Sequence, residues 1–337
     1  MTRRRIASLR ERMQDQGLDA LAVSSLHNIR YLTGFSGSNG LCVVTKGRAF
    51  LVTDTRYVAQ SRMEVKNCNR VITRDGLYEA IPRHRMLRGC RAVGFESDYV
   101  TYAQYRLMKR VVSGVSFVPT RDLVEGISLV KEEGEVESIR EAVRISDRVF
   151  DEIIKSLKPG VEELEMSAEI SYLHKTLGAE KDAFEPIVAS GERGSLPHAR
   201  ASRKKIRNRE MVTLDFGCTV KGYNSDLTRT VGVGSASDRA RQLHAVVLEA
   251  QAEAIELARS GMAARDLDAV ARNRIAKAGF GKYFIHSLGH GLGLQVHERP
   301  RVSSLSKEVL VEGSVITIEP GVYIPHFGGV RIEDTCC

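Results

Sequence analysis

Met211-Val-Thr-Leu-Asp215-Phe-Gly217, followed after a turn at Lys221-Gly222 by Tyr223-Asn-Ser-Asp226-Leu-Thr-Arg-Thr230, reads as a β-hairpin carrying one acid in each arm. Both acids are flanked by apolar and β-branched residues, so both arms are expected in a core. Neighbouring strands would bring the two carboxylates to face one ion. The plainer reading has each Asp making turn or cap hydrogen bonds. A carboxylate buried with neither metal nor partner is strongly disfavoured.

Outward from this hairpin the chain is organised as a repeat. The β-rich segment 186–233 follows two helices expected at 135–157 and 162–177, separated by Lys158-Pro159-Gly160. The first has apolar residues at 136, 139, 143, 150, 153 and 157, a helical spacing. Helices at 237–259 and 265–278, separated by Ser260-Gly261, then precede a second β-rich segment, 284–333. Two α-plus-β halves related by an internal repeat follow from this, and a site shared between them would draw ligands from both.

Upstream, short β-type runs at 21–24, 41–44, 50–53, 69–73, 92–95 and 115–118 alternate with helical ones, the mark of an α/β domain. Its first helix, 4–16, ends at Gly17, and residues 34–40 form a glycine- and serine-rich loop. The pattern breaks around 124–134, so two domains are expected, 1–128 and 129–337.

Composition narrows the function. With 42% hydrophobic and 27% charged side chains in 337 residues, the chain is globular, and no apolar stretch approaches the roughly 20 residues that span a bilayer. No membrane role is expected. The basic start, residues 1–5, runs into Ser8, Arg10, Glu11 and Arg12, so no signal-peptide core develops and a cytoplasmic location is the expectation. The six cysteines show no CxxC spacing and read as reduced thiols. Residues 1–130 hold 21 basic and 11 acidic side chains, net +10, against 29 and 31, net −2, in the remainder. Those basic residues are scattered and accompany no nucleic-acid-binding motif, so a solvated surface is the reading.

Three further stretches carry chemistry. His286-Ser-Leu-Gly-His290-Gly-Leu-Gly-Leu-Gln-Val-His297-Glu298 concentrates three of the nine histidines. Its spacing makes neither HExxH nor GxGxxG, and its glycines argue for extended backbone approaching a ligand closely. Each histidine alone would more often be a satisfied core residue. Ile316-Thr-Ile-Glu319-Pro-Gly-Val-Tyr323 and Gly328-Gly-Val-Arg331-Ile-Glu333-Asp each set one carboxylate in an apolar, β-like run. Four such acids and a histidine form an oxygen-rich set suited to two divalent ions, with manganese, iron or cobalt favoured over a thiolate zinc site.

On these motifs the second domain resembles the pita-bread metallopeptidases, the family of methionine aminopeptidase, aminopeptidase P and prolidase. Tyr31-Leu-Thr-Gly-Phe-Ser-Gly and Val52-Thr-Asp54-Thr-Arg-Tyr57 resemble the creatinase-type N-terminal domain of its proline-specific members. The resemblance implies a creatinase-like α/β domain followed by a pita-bread α+β domain with an internal pseudo-twofold repeat. It also implies a ligand set in which Asp226 and Glu333 bridge two metals, Asp215 holds one, and His290 and Glu319 hold the other. Manganese is the first choice, with cobalt or zinc as alternatives. Glu319 would move a proton, His198, His286 and His297 would hold substrate, His198 and His297 also being counted as catalytic, and Arg331 would lie near the substrate or pair with a nearby acid.

The implied function is an Xaa-Pro aminopeptidase, cleaving the bond to a second-position proline by attack of a hydroxide shared between the ions. Xaa-Pro dipeptidase is the alternative, and a non-catalytic pita-bread peptide-binding module or a creatinase-like hydrolase is disfavoured by the intact ligand set. A homodimer is implied by resemblance only. One departure stands out: the family pattern continues for a strand or more beyond the last ligand, whereas Asp334-Thr-Cys336-Cys337 alone follow Glu333, so fraying at Glu333 is expected.

Overall fold

The structure is a computed structural model and describes residues 2–337. It divides into two compact units, Met1–Ser128 and Leu129–Cys337. No helix among the described residues is long and apolar enough to cross a membrane.

The first unit contains α1 (Thr2–Asp15), β1 (Ala20–Val23), α2 (Leu26–Thr33), β2 (Leu41–Thr45), β3 (Ala49–Asp54), α3 (Val58–Glu64), β4 (Asn69–Thr73), α4 (Ala80–Arg83), β5 (Ala92–Glu96), α5 (Tyr102–Val111), β6 (Ser116–Thr120) and α6 (Glu125–Ser128). Its strands lie where the β-type runs predicted them. They form one mixed sheet in the order β4-β3-β2-β1-β5-β6. β1 and β2 are buried at every position, as inner strands covered on both faces are. The Glu96 carboxylate, at the end of β5, accepts from the Ser24 and Ser25 amides at 2.6 and 2.8 Å and so serves the open start of α2.

The second unit begins with α7 (Glu133–Ser156) and α8 (Glu163–Thr176). Each opens with a capping box, Glu132 with Glu135 and Glu162 with Glu165. The face α7 buries is Ile139, Ala142, Ile145, Val149 and Ile153, whereas Val136, Val143 and Phe150 are only partly covered. The inner stripe is thus rotated from the one expected. Small residues are the reason: Ser146 reaches the Ser225 hydroxyl at 2.8 Å and the Ala142 carbonyl meets the Cys218 thiol, a close approach that larger side chains would prevent.

Next come β7 (Lys181–Asp182), β8 (Ile187–Ser190), β9 (Met211–Phe216), β10 (Cys218–Val220), β11 (Tyr223–Asn224) and β12 (Leu227–Gly232). The hairpin read from sequence is present in two stages. β9 pairs with β12 over six residues, placing Asp215 opposite Thr228. The tip is a separate β10–β11 ribbon turning through Lys221 and Gly222, both with positive φ, the geometry of a type I′ turn. Gly217 makes the step between stages feasible, since a Cβ there would sit 1.9 Å from the Ser225 carbonyl oxygen.

The second half repeats the plan with α9 (Asp238–Leu257), capped by Ser237, and α10 (Ala264–Lys277). Then follow β13 (Gly289–Gly291), β14 (Glu298–Val302), β15 (Ile316–Ile318), β16 (Gly321–Ile324), β17 (Gly328–Arg331) and β18 (Asp334–Cys336). The halves have separate cores. One packs Met166 and Ile170 of α8 against Val212, Leu214 and Phe216 of β9, and the other packs Leu243, Val247, Leu267 and Ala271 against Ile318, Val322 and Val330.

Candidate active site

Asp215 lies within β9, but the other three acids occupy breaks between strands: Asp226 just before β12, Glu319 between β15 and β16, and Glu333 between β17 and β18. Within a continuous strand, successive side chains alternate between faces. A break frees each carboxylate to turn toward a common point. All nine residues singled out from sequence line one cavity of about 680 Å3, which the repeat's two halves build together.

Ligand-type atoms of Asp226, His290 and Glu333 all lie within 4.8 Å of one another. His290 Nε2 is 3.3 Å from Glu319 Oε1 and 3.7 Å from Asp226 Oδ2. Its Nδ1 contacts the Gly291 carbonyl at 3.1 Å and must donate there, and, against its burial, the Glu319 carboxylate raises its pKa by favouring a proton on Nε2, the nitrogen that would turn its lone pair to an ion once that proton is lost. His290 sits in β13, and two of the segment's glycines let the sheet close around it. A Cβ on Gly289 or Gly291 would meet the Thr317 or Arg299 carbonyl oxygen at 2.0 Å, so glycine is what lets β15 and β14 close on either side. Gly289 also lines the cavity, so close packing of the strands is a second demand on these glycines beside the expected approach of a ligand.

Glu333 is 2% exposed and is not frayed. Its amide donates to the Thr228 carbonyl at 3.1 Å, Thr228 Oγ1 donates to its Oε2 at 2.7 Å, and Arg229 Nη1 reaches its carbonyl at 2.5 Å. Beyond it, β18 pairs with β15. Support comes from β12 and β15, which the sequence pattern past Glu333 did not show.

The electrostatics are those of crowded anions. Burial, then the Glu333 charge, drives Asp226 well above the ordinary carboxylate range, and burial with the Glu319 and Asp215 charges does the same to Glu333. Asp215 is raised by burial, against the pull of Arg331. Glu319 moves the other way, because the His290 hydrogen bond and charge outweigh its burial. Two oxygens, Asp215 Oδ1 and Glu333 Oε1, are buried without a hydrogen-bond partner. Orphaned acceptors of this kind are rare in folded proteins, and four acids sharing one pocket are relieved by cations. The donor set fits divalent ions.

The remaining expected residues surround this cluster. His297 meets the His290 ring edge-on at 4.3 Å, and His198 and His286 are in the cavity wall. Burial holds both His286 and His297 below the usual imidazole range. Arg331 is 4% exposed and donates to Asp215 Oδ2 at 2.5 Å, so the ion-pair reading of this arginine holds, with a cavity acid as partner. Tyr323 was quoted in the sequence but given no role. Its hydroxyl accepts from Arg331 Nη1 at 2.7 Å and lies 2.9 Å from His286 Nε2, and burial pushes its pKa to about 12, so it stays protonated. Arg301, directly opposite His290 across the β13–β14 pair, also lines the cavity and was missed. Residues opposite each other in a sheet share a face, the one signal that would have found it.

The Metallopeptidase family M24 profile matches residues 137–337, and the Creatinase/Prolidase N-terminal domain profile matches residues 5–130. An Xaa-Pro dipeptidase of Pyrococcus horikoshii is 39% identical over 331 residues, 98% of this chain and 93% of that one. Among solved structures, an Xaa-Pro dipeptidase from Bacillus anthracis matches with a TM-score of 0.96 and 38% identity, over 99% of this chain and 94% of that one. An X-Pro aminopeptidase from Thermotoga maritima matches with a TM-score of 0.89 and 34% identity, over 96% and 94%.

Proposed function

The chain belongs to metallopeptidase family M24, and we propose that it hydrolyses the peptide bond between an N-terminal residue and proline, acting as an Xaa-Pro dipeptidase. The observation that carries the hydrolytic reading is the convergence of four acids and His290 on one cavity, with two buried oxygens left over for cations. Asp226 and Glu333 would be shared between two divalent ions, Asp215 would hold one, and His290 with Glu319 the other. When bound, such ions supply Lewis acidity at the scissile carbonyl and a nucleophile at neutral pH.

The chain's own residues do the rest. Glu319, 3.3 Å from His290 in the cavity, would accept a proton and return it to the leaving nitrogen. His198 and His297 would donate hydrogen bonds to the oxygen that gains charge. His286, with Nδ1 on the Ser287 carbonyl and Nε2 on the Tyr323 hydroxyl, would hold the substrate through contacts of its ring in the cavity wall. Proline at the second position makes the bond a tertiary amide with no N–H to bind, so recognition must come from shape and from the groups around it.

On the sequence motifs alone the aminopeptidase is the first reading, but two observations favour the dipeptidase. Relatives named Xaa-Pro dipeptidase share nearly the whole chain at 38–39% identity. Arg301 also sets a cation in the cavity wall beside His290, which suits the free carboxylate that a dipeptide carries directly on its proline. The aminopeptidase stays as the second reading, because the cavity's volume, within the roughly 300–1,000 Å3 of ordinary ligand sites, does not select a dipeptide over a tripeptide. Chelator-stripped protein assayed on Xaa-Pro and Xaa-Pro-Xaa, with and without manganese, separates them. Metal-dependent cleavage of the dipeptide alone supports the proposal, tripeptide cleavage supports the second reading, and cleavage of neither refutes both.

A further inference from the structure

We propose that the Asp268–Arg272 pair of α10 is a positioning device for His286; this rests on the reading above that His286 holds substrate. Residues 284–288 connect to β13 with no helix or strand of their own, so their backbone groups need partners from elsewhere. One ion pair supplies three of them. The Asp268 side chain is fully buried and accepts from Arg272 Nε and Nη2 at 2.7 and 2.9 Å, a bidentate fork. The Leu288 amide donates to Asp268 Oδ1 at 3.0 Å. Arg272 then extends Nη1 to the Phe284 carbonyl at 2.9 Å and Nη2 to the His286 carbonyl at 2.8 Å.

The clamp continues into the ring. The Arg272 guanidinium stacks 4.1 Å over Phe284, and Phe284 meets the His286 imidazole edge-on at 5.3 Å. His286 Nδ1 contacts the Ser287 carbonyl at 2.7 Å and must donate there, so Nε2 accepts from the Tyr323 hydroxyl. Backbone, ring plane and tautomer are thereby all set, and α10 supplies the first two. A planar five-donor fork is required, because a lysine ammonium is a compact point charge that cannot reach two carbonyls and chelate a carboxylate at once.

Arg272→Lys is the test, since it keeps the charge and the helix while removing the fork. Expected are an unchanged metal content, a kcat/KM on an Xaa-Pro dipeptide lowered about 10-fold or more, and a change of less than about 2-fold when the same substitution is made in a His286→Ala background. Asp268→Asn should behave alike. Full activity in Arg272→Lys, or an equal loss in both backgrounds, would overturn the assignment, the second by showing a general structural role. Amide exchange gives a readout independent of activity: residues 284–288 should exchange faster in Arg272→Lys. If the wild type cleaves no Xaa-Pro substrate, the functional reading fails, while unchanged exchange would remove the clamp itself.

Discussion

Arg331 and Asp215 form a buried ion pair that joins the two halves of the repeat. The guanidinium takes Oδ2 of the carboxylate at 2.5 Å, while Oδ1 is left without a partner. Asp215 is therefore oriented by a cation on one side and free to bind one on the other. Through Tyr323 the same arginine reaches His286, so a prospective ligand and a prospective substrate contact share one support.

Arg331→Met should strip Asp215 of the charge that counteracts its burial. The sign follows directly: Arg331 lowers the Asp215 pKa, so its removal raises it and favours the neutral acid at any given pH. Metal affinity should fall about 10–100-fold, the range seen when a ligand loses its outer partner. The acid limb of the activity profile should move to higher pH. Isothermal titration with manganese across pH checks both, and an unchanged affinity would show that Asp215 is no ligand.

Asp226→Asn and Glu333→Gln remove one charge each from the group whose atoms lie within 4.8 Å of one another. Either should reduce Xaa-Pro cleavage to background and lower the metal bound per chain, measured by elemental analysis. Limited proteolysis should still find the first unit, Met1–Ser128, folded, because that unit has its own core. Full activity in either variant would refute the two-ion reading.

The expected helices of the second unit and strands of the first were legible because hydrophobic period and glycine breaks are local signals. Helices expected at 237–259 and 265–278 are found at Asp238–Leu257 and Ala264–Lys277. The acids were legible for a different reason, since a lone carboxylate in an apolar β-like run is costly unless it is used. What stayed hidden depends on pairings distant in sequence. Arg301 becomes a cavity residue only through its register with His290, and Tyr323 only through hydrogen bonds to His286 and Arg331. Gly289 and Gly291 were visible, but the backbones they accommodate come from β15 and β14. Period alone also misjudged the buried face of α7, because its inner positions include small residues that a hydrophobic count passes over.

Glu163 anchors the loop that carries His198. Fully buried at the start of α8, its carboxylate accepts from the Ser190 amide and hydroxyl, Arg193 Nε, and the Ser202 amide and hydroxyl, all within 3.2 Å. Glu163→Ala leaves these donors and the half-buried Arg193 without it. A loss of about 3–5 kcal/mol in unfolding free energy is expected, as for other broken buried pairs. Urea denaturation followed by circular dichroism measures it, and a loss below about 1 kcal/mol would mean that water replaces the carboxylate.

His174 should make stability depend on pH. It is fully buried, its Nδ1 bonds Asp182 Oδ1 at 2.7 Å, and its Nε2 has no partner. Burial lowers its pKa below the reference 6.5, and the Asp182 bond only partly offsets this. The unfolded chain therefore takes up this proton first as pH falls. Stability from His174 is full above about 6.5 and is lost progressively below it, down to the lowered folded value. His174→Gln should flatten the stability-against-pH curve below 6.5 relative to wild type, and two parallel curves would exclude this histidine as the source.

Arg301 separates the two substrate readings. If its guanidinium meets the carboxylate of an Xaa-Pro dipeptide, Arg301→Ala should raise KM for the dipeptide and leave KM for the corresponding Xaa-Pro amide unchanged, since the amide carries no charge there. Arg301 is exposed, so its contribution must be discounted for solvent screening to about 1 kcal/mol, an approximately fivefold change in KM. kcat should change little, because a contact equally strong in the ground and transition states alters binding alone. Equal effects on the acid and the amide would assign the Arg301 side chain to its Ser287 hydroxyl contact and leave the dipeptidase reading without its cation.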